Sequence, residues 1–213
     1  MVLQTFIVFE GLDGSGTSTQ INLLKDALTK SLGSDKIFIT SEPTENETGL
    51  FLRRMLKAQF CVNEKTSAYL FAADRCEHIY GKDGIEDQCQ NGKIVVSDRY
   101  LFSSLAYQNK IFDLTYNLNK DFPLPKYLFF FEIEPEKSLK RVIKRCQENG
   151  EQTEIFEKIE IQKKTYEAYQ KVLSIYENSE SEMQIIRVDA SKSVEEIHKF
   201  ILNVLQNMPI FKR

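Results

Sequence analysis

Apolar residues along the chain fall into two alternating kinds of run. Short runs, three of them unbroken and two interrupted once by Glu132 or Arg187, occur at Phe6-Ile7-Val8-Phe9, Ile37-Phe38-Ile39, Ile94-Val95-Val96, Tyr127 to Ile133 and Ile185-Ile186-Val188. Their length and nearly continuous apolarity predict strands buried on both faces. Between them, apolar positions recur every three or four residues. Ile21, Leu24, Leu28 and Leu32 predict a helix that stops at Gly33. Leu52, Met55 and Leu56 predict a second helix, and Tyr69 to Ile79 a third. Ser104, Tyr107 and Gln108 stand at i, i+3 and i+4 on a helix that follows Asp98-Arg99. Pro135 opens a helix with Leu139, Val142, Ile143 and Cys146 on one face. A long helix over residues 153–177 and a last one from Val194 to Leu205 complete the pattern.

Strands of this kind alternating with amphipathic helices predict an α/β fold: a parallel sheet of about five strands flanked by helices. Right-handed crossovers then put ligand sites at the carboxyl ends of the strands. The 213 residues form one domain in this reading, long enough for a sizeable core. Composition changes little: 42% hydrophobic, 28% charged and a net charge of −3 are ordinary for a globular chain. No basic stripe with interleaved aromatics is present, so nucleic acid is not an expected partner. Cys61, Cys76, Cys89 and Cys146 form no CxxC pair, and His78 and His198 lie far apart, so zinc spacing is absent. Reduced thiols of a cytoplasmic protein are expected. No basic segment leads into a long apolar run and no window approaches 18 apolar residues, so neither a signal peptide nor a membrane span is expected.

The first strand runs into "FEGLDGSGTSTQ", Phe9 to Gln20, which contains Gly11-x-x-x-x-Gly16-x-Ser18. Strand, glycine loop and helix start are the setting a phosphate loop requires. Gly11, Gly14 and Gly16 let backbone amides approach a phosphate, and the helix N-terminus adds partial positive charge. The cradle would run through Gly11, Leu12, Asp13, Gly14, Ser15, Gly16, Thr17, Ser18 and Thr19. Ser18 holds the position whose hydroxyl binds Mg²⁺, while Thr17 stands where the loop lysine is expected. Asp98 follows a strand and can hold Mg²⁺ directly or through water. Arg99 beside it can grip a phosphate with a bidentate fork. Phe71 and Arg75, four apart, offer a stacking ring and a donor for a base, or else are a core aromatic and an exposed cation.

Four ordered segments carry a resemblance to the thymidylate kinases: "FIVFEGLDGSGTSTQ", "SEPTENETG", "YLFAADRCEH" and "VVSDRYLFSSLAYQ". It spans residues 6–108 and continues weakly through "FFFEIEPEKSLKR" toward the long helix. The resemblance implies a P-loop nucleoside monophosphate kinase fold with a short lid at about residues 144–157. It implies transfer of the γ-phosphate of ATP to dTMP, giving dTDP and ADP on the way to dTTP, with Mg²⁺, in a cytoplasmic homodimer. By the same resemblance Phe71 stacks on thymine and Arg75 addresses its O4, with Ser104 and Gln108 near the base. Tyr107 packs where a ribose 2′-hydroxyl would sit, Asp13 accepts from the sugar 3′-hydroxyl, and Arg99 binds the acceptor phosphate. Glu42 would help order Mg²⁺ or water. Arg53 and Arg54 would reach the acceptor phosphate or form an exposed basic face.

The family signature has a lysine where this chain has Thr17, so positive charge for phosphoryl transfer must come from elsewhere. The lid candidate "RVIKRCQENGEQTEIFEK" lacks the Asp-Arg-x-Glu pattern many family members carry, having Glu154-Ile155-Phe156-Glu157 instead. Arg141, Lys144 and Arg145 remain, either as a solvated basic face or as cations that swing over ATP when the lid closes. Two rivals stay open: a catalytically impaired nucleotide-binding paralogue, and a kinase of the same fold acting on another acceptor such as dUMP or a deoxynucleoside.

Overall fold

A computed structural model describes residues 1–149 and 158–206. Among these, five strands form one sheet: β1 Val2–Gly11, β2 Ile37–Ser41, β3 Ile94–Asp98, β4 Leu124–Glu132 and β5 Gln184–Asp189. Their order is β2-β3-β1-β4-β5, and every neighbouring pair is parallel. Parallel strands need long crossovers, and the helices α1 Thr17–Leu32, α2 Glu47–Leu56, α3 Glu64–Tyr80, α4 Ile85–Gln90, α5 Leu101–Tyr107, α6 Phe112–Asn119, α7 Pro135–Asn149, α8 Ile159–Glu177 and α9 Val194–Leu205 lie between or after them.

The apolar runs have the expected consequence: each strand serves two cores. Phe6 and Val8 of β1 and Leu128 and Phe130 of β4 face a core built with α5 and α8. Their neighbours Ile7, Phe9, Phe129 and Phe131 face a second core built with α1 and α9. Each of these phenylalanines is essentially inaccessible to solvent, and burying one such side chain contributes about 1.5–3 kcal/mol. The ladders continue one bond past the strand ends. The Arg99 N–H donates to the Phe9 carbonyl at 2.9 Å and the Glu42 N–H to the Asp98 carbonyl at 3.0 Å. The carboxyl ends of β1, β2 and β3 are thereby locked into one floor.

Several expectations need correction. Ile143 is exposed rather than part of the buried face of α7, which is carried by Val142 and Cys146. β1 starts four residues before the apolar run, because Val2 and Leu3 pair with Leu124 and Pro125 of β4. α4 and α6 carry no clear apolar period, and the buried residues of α6 are Thr115 and Asn119. The long helix begins at Ile159 within the described chain. Glu154-Ile155-Phe156-Glu157 and the end of the expected lid lie outside the described residues.

Candidate active site

β1 ends in the phosphate loop, and the loop's shape depends on two glycines. Gly14 and Gly16 have φ of 86° and 100°, a region that side-chain-bearing residues avoid. At Gly14 a Cβ would also fall 2.6 Å from the Ser138 carbonyl, so α7 can lie directly on the loop. The Ser138 hydroxyl donates to the Asp13 carbonyl at 2.5 Å, fixing that contact. Gly16 precedes the first turn of α1, which places Thr17 and Ser18 at the helix N-terminus.

On one side of the loop lies a cavity of about 440 Å³ lined by residues 14–20 and by Arg141, Arg145 and Lys192. Arg141 donates to the Ala190 carbonyl at 3.1 Å, pinning α7 to the loop after β5. Of Arg141, Lys144 and Arg145, the two arginines line the same cavity as the phosphate loop. Lys144 is not in that lining among the described residues; it is exposed and pairs with Glu148 at 3.7 Å, one turn along α7. Lys192 has no signal in the sequence beyond its place after a strand.

On the other side lies a cavity of about 390 Å³. Asp13, Phe71, Arg75, Arg99, Ser104, Tyr107 and Gln108 all line it, together with Ser18, Glu42, Arg53 and Asp98. Four separated segments thus converge on one space. The Gln108 amide donates to Ser67 at 3.3 Å, while its buried Oε1 has no hydrogen-bond partner among the described residues. Arg54 is not in the lining and instead lies over the Phe51 ring.

Ser18 and Asp98 meet between the cavities, where the Ser18 hydroxyl donates to Asp98 Oδ2 at 2.6 Å. Asp98 Oδ1 is buried without a hydrogen-bond partner among the described residues. A buried carboxylate oxygen left in this state suits a cation. Among the described residues no group of three or more His, Cys, Asp or Glu side chains could enclose a metal. Ser18 and Asp98 are thus a partial set of hard oxygen donors, of the kind that phosphate oxygens and water complete around Mg²⁺.

Glu42, read from sequence as an aid to the metal, is engaged elsewhere. Its Oε2 accepts from Arg75 Nε at 2.9 Å and Nη2 at 2.6 Å, and its Oε1 meets His78 Nδ1 at 3.1 Å. Buried opposite charges must pair, and these do. Arg75 is nearly inaccessible, rather than an exposed cation. Its other contacts are the Ser104 hydroxyl at 3.0 Å and the Asn119 side-chain oxygen. The Asn119 amide nitrogen donates to the Thr115 carbonyl at 2.7 Å, which forces its oxygen toward the arginine. Asn119 carries no signal in the sequence, and His78 enters it only through the absence of zinc spacing.

Arg99 has φ of 73°, and its side chain is tied on both edges. Nη1 donates to Gly11 O at 3.1 Å, Ser103 Oγ at 3.0 Å and Tyr169 OH at 3.3 Å. Nη2 meets Asp13, whose other oxygen accepts from Tyr107 OH at 3.2 Å. The guanidinium also lies 5.5 Å from the Tyr107 ring centre. Burial works against its charge, but Tyr107, Asp13, Tyr169 and Glu10 more than reverse that and hold its pKa well above the ordinary value. Burial first, and then Asp13, pushes the Tyr107 phenol far up, so it stays protonated and donates.

A family model of thymidylate kinase matches residues 9–201. A protein of Treponema pallidum (strain Nichols), named "Putative thymidylate kinase", is 39% identical over 207 residues, covering 96% of each chain. A "Probable thymidylate kinase" of Methanococcus maripaludis (strain C6 / ATCC BAA-1332) is 36% identical over 212 residues, covering 95% of this chain and 96% of its own. The crystal structure of a thymidylate kinase from Ehrlichia chaffeensis superposes with a TM-score of 0.67 over 95% of this chain and 98% of its own, at 23% identity, a likeness of fold. With that breadth of match over nearly the whole chain, the chain belongs to the thymidylate kinase family.

Proposed function

We propose that the chain transfers the γ-phosphoryl group of ATP to the phosphate of dTMP, releasing ADP and dTDP. The observation that carries this reading is the meeting of Asp13, Phe71, Arg75, Arg99, Ser104, Tyr107 and Gln108 in one cavity beside the phosphate loop. Phe71 supplies a stacking ring, and Arg75, held by Glu42, Ser104 and Asn119, keeps one Nη1 N–H that suits a base carbonyl. Arg99 binds the acceptor phosphate, exchanging its Nη2 contact with Asp13 for phosphate oxygens. Tyr107 blocks the space beside the sugar, which favours deoxyribose.

ATP occupies the cavity on the other side of the loop, its phosphates cradled by the amides from Gly14 to Thr19. Ser18 and Asp98 hold Mg²⁺, which supplies charge neutralisation on the phosphates. Arg141 and Arg145 give the positive charge that Thr17 lacks. Catalysis in this reading is positioning and electrostatics, with no covalent intermediate on the protein. The homodimer implied by the resemblance pairs helix faces, for which α3 offers exposed Tyr69 and Tyr80, and the protein works in the cytoplasm. Among the described residues no helix is long and apolar enough to cross a membrane.

A coupled ADP-release assay with MgATP and a panel of acceptors tests the reading: dTMP, dUMP, dCMP, the ribose analogue of dTMP, and thymidine. Preferred turnover of dTMP supports it. Preference for dUMP or a nucleoside would reassign the acceptor, and turnover no faster than a Gly16→Ala loop variant would remove the chemistry.

A further inference from the structure

Glu10 belongs to the row Phe6, Val8, Glu10 on the face of β1 covered by α5 and α8, where its two predecessors are apolar core. It is completely buried. Its carboxylate receives four donors. Oε1 accepts from the Tyr100 N–H at 2.8 Å and the Ser103 N–H at 3.1 Å. Oε2 accepts from the Ser103 hydroxyl at 2.6 Å and the Tyr169 hydroxyl at 2.8 Å. Those two hydroxyls also accept from Arg99 Nη1, at 3.0 and 3.3 Å, beside the Gly11 carbonyl at 3.1 Å.

Each hydroxyl has one proton. The hydroxyls lie 2.8 Å apart and could spend a proton on each other. An ionised carboxylate draws both protons to itself, because charge-assisted hydrogen bonds are about twice as strong as neutral ones. The lone pairs of Ser103 and Tyr169 are then left facing the guanidinium. Without that charge, a hydroxyl proton turns toward the Arg99 N–H groups, donor against donor.

We propose that Glu10 is a positioning residue for the acceptor phosphate, orienting Arg99 through the hydroxyls of Ser103 and Tyr169. The Nη1 edge is held by groups from β1, α5 and α8, while the Nη2 edge, whose partner Asp13 lines the cavity, is the one that meets substrate. The backbone of Arg99 sits in the left-handed region, so the local chain does not favour this side-chain path by itself. Burial raises the Glu10 carboxyl pKa, and Arg99, Ser103, Tyr169 and Tyr100 oppose it. The inference rests on the reading of Arg99 as the phosphate-binding residue.

Glutamine is the informative replacement. Of its two ends, one can accept and the other only donates, while four donors point at the site. Steady-state kinetics with dTMP and ATP varied separately would be measured for wild type, Glu10→Gln, Tyr169→Phe, Arg99→Ala and the double variant Glu10→Gln with Arg99→Ala. Glu10→Gln is expected to raise KM for dTMP about tenfold or more and to leave KM for ATP within about twofold. Tyr169→Phe keeps the buried ring and loses one hydroxyl, so its KM for dTMP is expected to rise about three- to tenfold. On the Arg99→Ala background Glu10→Gln should add less than about twofold, because its effect passes through the missing side chain. Equal rises in both KM values, or an undiminished Glu10→Gln effect without Arg99, would overturn the proposal. If Glu10→Gln does not fold, Tyr169→Phe decides: an unchanged KM for dTMP sinks it. A wild-type KM for dTMP in Arg99→Ala alone identifies the other failure, that of the Arg99 reading, and takes the proposal with it.

Discussion

The Ser18 hydroxyl donates a 2.6 Å hydrogen bond to Asp98 Oδ2, joining the first turn of α1 to the carboxyl end of β3. The two residues are 80 positions apart in sequence. The bond turns Oδ2 toward the phosphate loop and leaves Oδ1 buried without a partner among the described residues. Asp98→Asn keeps the shape and removes the charge that a divalent cation needs. A fall in kcat of about tenfold or more is expected, since each tenfold corresponds to about 1.4 kcal/mol of barrier. The Mg²⁺ concentration for half-maximal rate should rise in the same variant. A Mg²⁺ titration of the ADP-release rate checks both, and a wild-type curve would remove Asp98 from the metal.

Arg141 and Arg145 line the same cavity as the phosphate loop, while Lys144 pairs with Glu148 on the exposed side of α7. Arg145→Ala or Arg141→Ala should lower kcat about tenfold, with a smaller change in KM for ATP, because a cation that meets the phosphates best near the transition state is lost mainly from turnover. Lys144→Ala should keep kcat within about twofold. Thr17→Lys should raise turnover modestly and partly rescue the stronger arginine variant. Initial-rate kinetics on the four single variants and the rescue pair decide the matter. Full activity in both arginine variants would leave the charge to Mg²⁺ and loop amides.

Tyr107 is held by its hydroxyl on Asp13, by the Arg99 guanidinium and by an edge-on contact with the Tyr169 ring. If the acceptor sugar sits as proposed, a side chain fixed on three sides would not swing away from a 2′-hydroxyl. Tyr107→Ala should therefore narrow the ratio of kcat/KM values for dTMP and its ribose analogue. Tyr107→Phe, which keeps the ring, should retain most of the discrimination. If the alanine variant keeps the wild-type ratio while remaining folded, steric exclusion by this ring is the wrong explanation.

Burial raises the Glu10 carboxyl above its ordinary value of 4.5 despite four donors and a nearby arginine. A raised folded-state pKa means the proton binds the folded protein more tightly than the unfolded chain. The stabilisation from that proton is complete below the unfolded value and is lost as pH rises through the raised folded value. Glu10→Gln cannot titrate, so this term is absent from it. The difference in thermal midpoint between wild type and Glu10→Gln should move in favour of wild type as pH is lowered from 7 toward 4.5. A difference that stays flat across that range would show that Glu10 is not shifted.

Much of this was legible along the chain because it is periodic and local. The five apolar runs lack polar alternation, which is what a strand buried on both faces demands, and each became a strand of the parallel sheet. The phosphate loop was legible because glycines with φ near 90° are a backbone requirement and not a packing choice. α6 was not legible, since Thr115 and Asn119 are buried there as polar residues serving other elements. Glu10 carried a readable signal: an acid in the buried row of Phe6 and Val8 requires partners. Those partners could not be read, because Tyr169 lies 159 positions away.

The amino-acid sequence by itself determined the α/β alternation, the glycine loop, and which side-chain types line up near the strand ends. Those properties depend on local backbone geometry and on the side-chain period of helix and strand. Tertiary structure alone decided where each charge is spent. Glu42 stands at the end of β2 in either case, but the approach of α3 turns it toward Arg75 and His78. Arg141, Lys144 and Arg145 share one helix, and the seating of Ser138 and Val142 on the loop selects which two line its cavity. A buried ion takes the partner that long-range packing brings within about 3 Å. No spacing along a single chain encodes that distance.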